Sequence, residues 1–113
     1  MSNITTFQGD SRIIRVNVVD DKTGQIIDLT DMVIEWALAQ SAGGAAKLTK
    51  TNSPTGGITV TDPATGVFDV ALSKTDTAGL AGIYYHEAKI TSPAGGRHTV
   101  VAGKIEFKAT TLK

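Results

Sequence analysis

The sequence has no cysteine. A disulfide framework and a thiolate metal site are therefore both excluded, and stability has to come from burial alone. No apolar run approaches the ~20 residues that a membrane helix requires. The opening stretch "MSNITTFQGD" lacks the basic start and apolar run of a signal peptide. Neither charge is in excess, since eleven basic and eleven acidic residues cancel. Without a basic stripe there is no electrostatic footprint for nucleic acid. Two histidines are few for metal ligation, and three Phe, two Tyr and one Trp are few for an aromatic sugar-binding platform. The three prolines, Pro54, Pro63 and Pro93, all fall in turn-like stretches and none inside an alternating segment, as strand pairing demands.

What is present points to β-structure. A chain of 113 residues fits one domain, and at that length roughly two-thirds of the unfolded surface can be buried. We expect a single domain over 1–113, with its core at about 9–108 and loose termini. Period-two alternation runs through almost the whole sequence, the signature of half-buried strands. In 11–20, Ile14, Val16 and Val18 share one face, opposite Arg15 and Asn17. In 31–40, Ile34, Trp36 and Leu38 share a face opposite Glu35; a helix competes there, but the strict alternation and the early glycines favour a strand. Further strands are expected at 47–51, 58–62, 67–72, 82–90 and 98–108. On the last, Thr99, Val101, Gly103, Ile105 and Phe107 should face inward. "DDKTG", "SAGGAA", "NSPTGG", "DPATG" and "SPAGGR" read as turns or loops, with Gly66 and Gly96 at positions that need positive φ or exclude a Cβ. Ser73 followed by Asp76 resembles a helix-start cap, and one helical turn is expected there, crossing between sheets. The pattern predicts an all-β fold: an antiparallel β-sandwich of seven or eight strands, with Trp36, Phe68, Tyr84 and Phe107 in one core.

The chemistry-bearing residues do not gather into a known motif. "GIYYHEAKI" places Tyr84, His86, Ala88 and Ile90 on one face, so Tyr84 and His86 are read as core residues. Tyr85, Glu87 and Lys89 fall on the other face, the last two as a solvated pair. His86 and His98 could meet across the hairpin whose turn lies at 92–97, but two histidines alone make a weak metal site. Asp20, Asp21, Asp28 and Asp31 cluster between the first two of these strands, yet no calcium-loop spacing joins them; they read as turn caps in a solvated loop. Gly43-Gly44 and Gly56-Gly57 are not phosphate cradles, because no Lys-Ser or Lys-Thr follows at the required position. Gly82 and Gly103 read as places where the backbone bends or approaches closely. No nucleophile elbow is present. Catalytic, cofactor-binding and metal-ligating residues are therefore all expected to be absent, and the chain is not expected to be an enzyme.

The order of the motifs is similar to that of phage baseplate upper-protein N-terminal domains and related small phage tail structural proteins. The resemblance runs from Gly9-Asp10 through the Ile14 to Val18 strand and the Asp20 to Gly24 turn to Asp28-Leu29-Thr30. It continues in Asp76 to Leu80, Gly82-Ile83-Tyr84 and Gly96-Arg97, covering 9–107. It implies an immunoglobulin-like sandwich and a non-enzymatic virion protein, made in the host cytoplasm. Such a module would dock other virion proteins of the tail, baseplate, fibre or head–tail connector, with self-association inside the particle, and would use neither nucleic acid nor membrane. In the baseplate proteins the module opens a longer chain, so its place in tail, neck or capsid stays open. The alternative is a capsid-decorating or host-surface, carbohydrate-binding module, for which Phe7 and Tyr85 are the spare aromatics. Attachment is expected at an exposed edge strand or at the loops 20–31 and 41–46.

Overall fold

The structure, a computed structural model, describes residues 2–20 and 22–112. Among the described residues, eight strands form two sheets: β1 (Ser2–Phe7), β2 (Arg12–Asn17), β3 (Val33–Ala39), β4 (Ala46–Thr51), β5 (Ile58–Thr59), β6 (Val67–Leu72), β7 (Gly82–Thr91) and β8 (Arg97–Lys108). One sheet has the order β1-β8-β7-β3-β4 and the other β2-β6-β5. The fold is thus an all-β sandwich, and the chain crosses between the sheets at 8–11, 18–32, 52–57 and 73–81.

The alternation seen in the sequence becomes the core. Ile14, Val16, Ile58, Phe68, Val70 and Leu72 face inward from the smaller sheet. Ile34, Trp36, Leu38, Tyr84, Ala88, Ile90, Ile105 and Phe107 meet them from the larger one. Trp36, Phe68, Tyr84 and Phe107 belong to this one core, as expected, and the rings of Tyr84 and Phe107 meet edge to face with centroids 5.7 Å apart. Ring edges carry positive charge and faces negative, so this geometry adds to the area that the pair buries.

The crossovers are also built from local chemistry. At 73–77 the Ser73 hydroxyl accepts from the Asp76 N–H, while the Asp76 carboxylate accepts from the Ser73 N–H. This reciprocal cap starts the single helical turn α1 (Lys74–Thr77) between β6 and β7. At 62–66, Asp62 caps a 3-10 turn over Pro63–Thr65, and Gly66 closes it at φ 68°. A Cβ at Gly66 would lie 2.8 Å from Ile27 O and 2.9 Å from Val18 O, so conformation and space both require glycine there.

Six expectations are corrected. Residues 2–7 are not a loose terminus: β1 pairs with β8 over Gly103–Lys108, and it does so in parallel, so the sandwich is not wholly antiparallel. The pairing buries Thr6 and leaves Ile4 packed against the core. Thr99 does not face inward. The β7–β8 register slips between Ala88 and Lys89, placing Val101 opposite Ala88 but Thr99 opposite Lys89. The extra residue turns Thr99 to the outer face, where Lys89 Nζ donates to its hydroxyl at 3.0 Å. Gly95, not Gly96, has the positive φ (97°), and a Cβ at Gly96 would meet nothing closer than 3.4 Å. Finally, β5 spans only Ile58–Thr59 of the expected 58–62, and the strand expected over 11–20 is β2 at Arg12–Asn17, followed by an isolated Val19–Ile26 bridge.

Candidate functional site

The polar groups divide between the core, the turns and the outer face of the larger sheet. His86 is fully buried on β7, and its Nδ1 accepts from the Trp36 indole N–H at 3.2 Å. Donation to Nδ1 requires that nitrogen to be bare, which describes a neutral imidazole in a structural contact. His98 lies opposite Ile90 and His86 opposite Gly103, so four residues along β7 separate the two histidines. The hairpin therefore does not bring them together. Gly103 is buried directly across from His86, and Gly82 begins β7 at φ 105°.

The aspartates work as caps. Asp20 accepts from the Lys22 and Thr23 N–H groups, which hold its carboxyl below the usual range. Asp28 accepts from the hydroxyl and the N–H of Thr30, with the same result. Asp31 adopts φ 59° in the next turn, a conformation that Asp tolerates better than most residues. Asp21 lies outside the described residues. Among the described residues, no three His, Cys, Asp or Glu side chains form a metal-binding group. Gly43 and Gly44 turn the β3–β4 loop, where the Gly44 N–H donates to Ser41 O. Gly56 turns the next loop by donating to Ser53 O, and Gly57 beside it accepts from the Ala71 N–H.

The outer face of the larger sheet is a ladder of ion pairs. Arg97 Nη2 lies 3.1 Å from Glu35 Oε1, and Lys89 Nζ lies 3.9 Å from Glu87 Oε2. Tyr85 stands beside Lys104; partial burial, with Glu87 as its next influence, pushes its phenol up. Phe7 lies opposite Lys108 and Tyr85 opposite Lys104. That separation is about 13 Å at strand rise, too far for both rings to cover one sugar. On the smaller sheet, Arg15 and Asp69 form a two-pronged pair at 2.8 and 2.9 Å. Hydrogen bonding by Arg15 holds the Asp69 carboxyl down. Lys50 Nζ reaches Asp76 at 2.8 Å from the β4 edge.

Two clefts lie along the opposite border of the sandwich. One, of about 540 Å³, is lined by Val18, Asp20, Lys22, Ile27, His98 and Val100 among others. A second, of about 350 Å³, shares Asn17 and Val100 with it and extends past Arg12, Ile14, Val16 and Ile4. Of these lining residues, the sequence drew attention to Asp20 and His98 as possible metal ligands but not to Arg12. The available signal was Arg12, which two-residue alternation with Ile14 places on the inward face.

No protein-family model matches the sequence, and no curated protein matches it. Among the described residues, no helix is long and apolar enough to cross a membrane.

Proposed function

We propose that this chain is a non-enzymatic structural module of a bacteriophage particle, an adaptor in the tail, baseplate or neck that docks other virion proteins. The observation that supports this reading is how the ionisable side chains are used. Asp20, Asp28, Asp62 and Asp76 cap turns, while Arg15–Asp69, Lys50–Asp76 and Arg97–Glu35 tie strands and crossovers together. They serve a rigid frame and are spread over separate clefts instead of converging on one, as an acid–base or nucleophilic mechanism would need. The ordered resemblance over 9–107 supplies the biological setting and the immunoglobulin-like affiliation. On this reading the protein is made in the host cytoplasm and carried in the particle.

The frame presents a glycine-bearing loop at 41–46, exposed throughout, and rigid scaffolds commonly bind through such loops. The test is incorporation. Deleting 42–45 should leave the domain folded and remove the protein from purified particles of infected cells. Normal copy number of the shortened protein would rule out that loop as the attachment surface. Absence of the intact protein from particles would overturn the virion reading, and binding to glycan arrays, with Tyr85→Ala as control, would then be the next measurement.

A further inference from the structure

The chain is neutral as a whole, but its charge is unevenly placed. The segment 18–32, which joins β2 to β3, holds four aspartates, one lysine and no arginine. The Asp62 turn stands beside it, because the Leu29 N–H donates to the Pro63 carbonyl. Among the described residues, Asp20, Asp28, Asp31 and Asp62 have no cation within ion-pairing distance. Ile26, in the same segment, is 61% exposed.

The opposite charge gathers at the other end of β3, about 20 Å away at strand rise. On the outer face of the larger sheet, the charges nearer Val33 answer one another, as Arg97–Glu35 and Lys89–Glu87. Those nearer Ala39 do not. Tyr85 lies between Ala39 on β3 and Lys104 on β8, and Ile83 lies opposite Glu106. Lys47 is the extra residue of the β4 bulge beside Ala39. Lys108 follows Glu106 on the same face of β8. All three lysines are exposed, and among the described residues none has a carboxylate within ion-pairing distance. Ile83 is 62% exposed in their midst. Since β7 has a neighbour on each side, this surface is a sheet face and not a strand edge. Each end of the molecule thus sets an exposed aliphatic side chain among charges of one sign. That is the make-up of an interface with an apolar centre and a charged rim, and the two ends are complementary in sign.

We propose that the basic half of this face receives the 18–32 loop of a second copy, so that copies join head to tail. Lys47, Lys104 and Lys108 of one copy face Asp20, Asp28 and Asp31 of the next, and Ile26 packs against Ile83 and Tyr85. Because the two surfaces differ, the contact is heterologous, and its repetition closes a ring or extends a filament. The inference gives a mode to the self-association that the virion reading expects, but it concerns the isolated chain. A protein that stays monomeric in solution would overturn it and leave the virion reading standing.

The measurement is sedimentation velocity over a range of protein concentrations. In about 20 mM salt the unaltered protein should form species larger than a dimer, and about 0.5 M salt should disperse them. Two triple variants separate the surfaces. One carries Lys47→Gln, Lys104→Gln and Lys108→Gln; the other carries Asp20→Asn, Asp28→Asn and Asp31→Asn. The asparagine oxygen can still accept the turn bonds of Asp20 and Asp28, and Asn tolerates the φ of 59° at Asp31. Each variant alone should associate at least tenfold more weakly than the unaltered protein. Mixed, they should form a heterodimer and stop there, because one supplies the acidic loop and the other the basic face. Ile83→Ser should weaken association about tenfold and leave the thermal midpoint close to that of the unaltered protein. Lysine side-chain hydrogen bonds belong to Lys50 and Lys89, so the glutamine variant disturbs none and carries the test alone if the asparagine variant loses stability. A monomer at about 1 mM protein in low salt, a very weak affinity at best, would overturn the proposal. So would growth of the unaltered protein that ends at a dimer, undiminished association by the glutamine variant, or a mixture of two folded variants that does not pair.

Discussion

The contact between Trp36 and His86 offers the sharpest quantitative test of the core. Both side chains are at most 1% exposed, and the indole N–H donates to Nδ1 at 3.2 Å. Replacing His86 by Leu keeps the volume near that of the ring but strands the buried indole N–H, which costs about 1–3 kcal/mol. Replacing Trp36 by Phe removes the donor and leaves unfilled volume, at a cost of about 2 kcal/mol. When both are replaced, neither polar partner is left waiting for the other. The double variant should therefore be more stable than the sum of the single losses predicts, by about 1 kcal/mol. Urea unfolding of all four proteins by far-ultraviolet circular dichroism supplies the cycle. In the two that keep Trp36, the only tryptophan, fluorescence provides a second probe of the same transition. Additivity to within about 0.5 kcal/mol, or a His86→Leu protein as stable as the parent, would refute the claim that this pair is a coupled polar contact.

Three further outcomes follow from the turns and the carboxylates. Gly66→Val should lower stability by more than about 2 kcal/mol, since the left-handed conformation and the Val18 and Ile27 carbonyls both oppose a side chain; Gly96→Val should cost far less, and equal thermal midpoints would refute the distinction. Ser73→Ala should cost about 1 kcal/mol as a lost cap, and Asp76→Ala more than Ser73→Ala, because Asp76 also holds Lys50; the reverse order in urea midpoints would sink that reading. The Asp69 carboxyl is held low by its bond to Arg15, and those of Asp20 and Asp28 by turn donors. Burial pushes Asp76 up, but Lys50 and the Ser73 N–H outweigh it and the net shift is downward. Groups with depressed folded values contribute fully above the unfolded value and lose that contribution as pH falls through the folded one, so urea midpoints should hold steady near pH 6 and fall below about pH 4. A flat profile to about pH 2 would contradict the assignment of these carboxylates as structural.

The parts of the fold that were legible in the sequence share a physical cause. Ile14, Val16, Phe68, Val70, Tyr84, Ile90, Ile105 and Phe107 alternate with polar residues because each strand has one buried face, and that period survives without knowledge of the partner strand. The Ser73–Asp76 cap and the Asp62–Gly66 turn were legible because every participating group lies within a few residues. Gly95 was not separable from Gly96, since two adjacent glycines permit the turn in either register. The bonds from Ser92 N–H to Gly96 O and from Gly95 N–H to Ser92 O decide between them. β1 was invisible for a different reason. Its inward positions include Thr6, its outward ones include Phe7, and its partner β8 lies at the far end of the sequence. Burial there depends on a parallel pairing that leaves no periodic trace.

The same distinction explains why the core was easier to read than the surface. A core position is marked by its own apolarity, whereas a bare edge is defined by which strand fails to lie beside it. The Val100–Val101 pair shows this directly, because two consecutive valines suit either face and only the pairing reveals the slip that turns Thr99 outward. One surface signal was nevertheless written in the strand itself. Alternation through Ile14, Val16 and Val18 requires an inward side chain two residues before Ile14, and that residue is Arg12. Strands with a buried face rarely place a cation inward without a partner, because the desolvated charge must be answered. The rule is broken at the start of β2, where the Arg12 Nε is buried without an acceptor among the described residues. A local violation of an otherwise consistent pattern marks positions held for something other than folding, so Arg12→Gln should leave the thermal midpoint close to that of the unaltered protein.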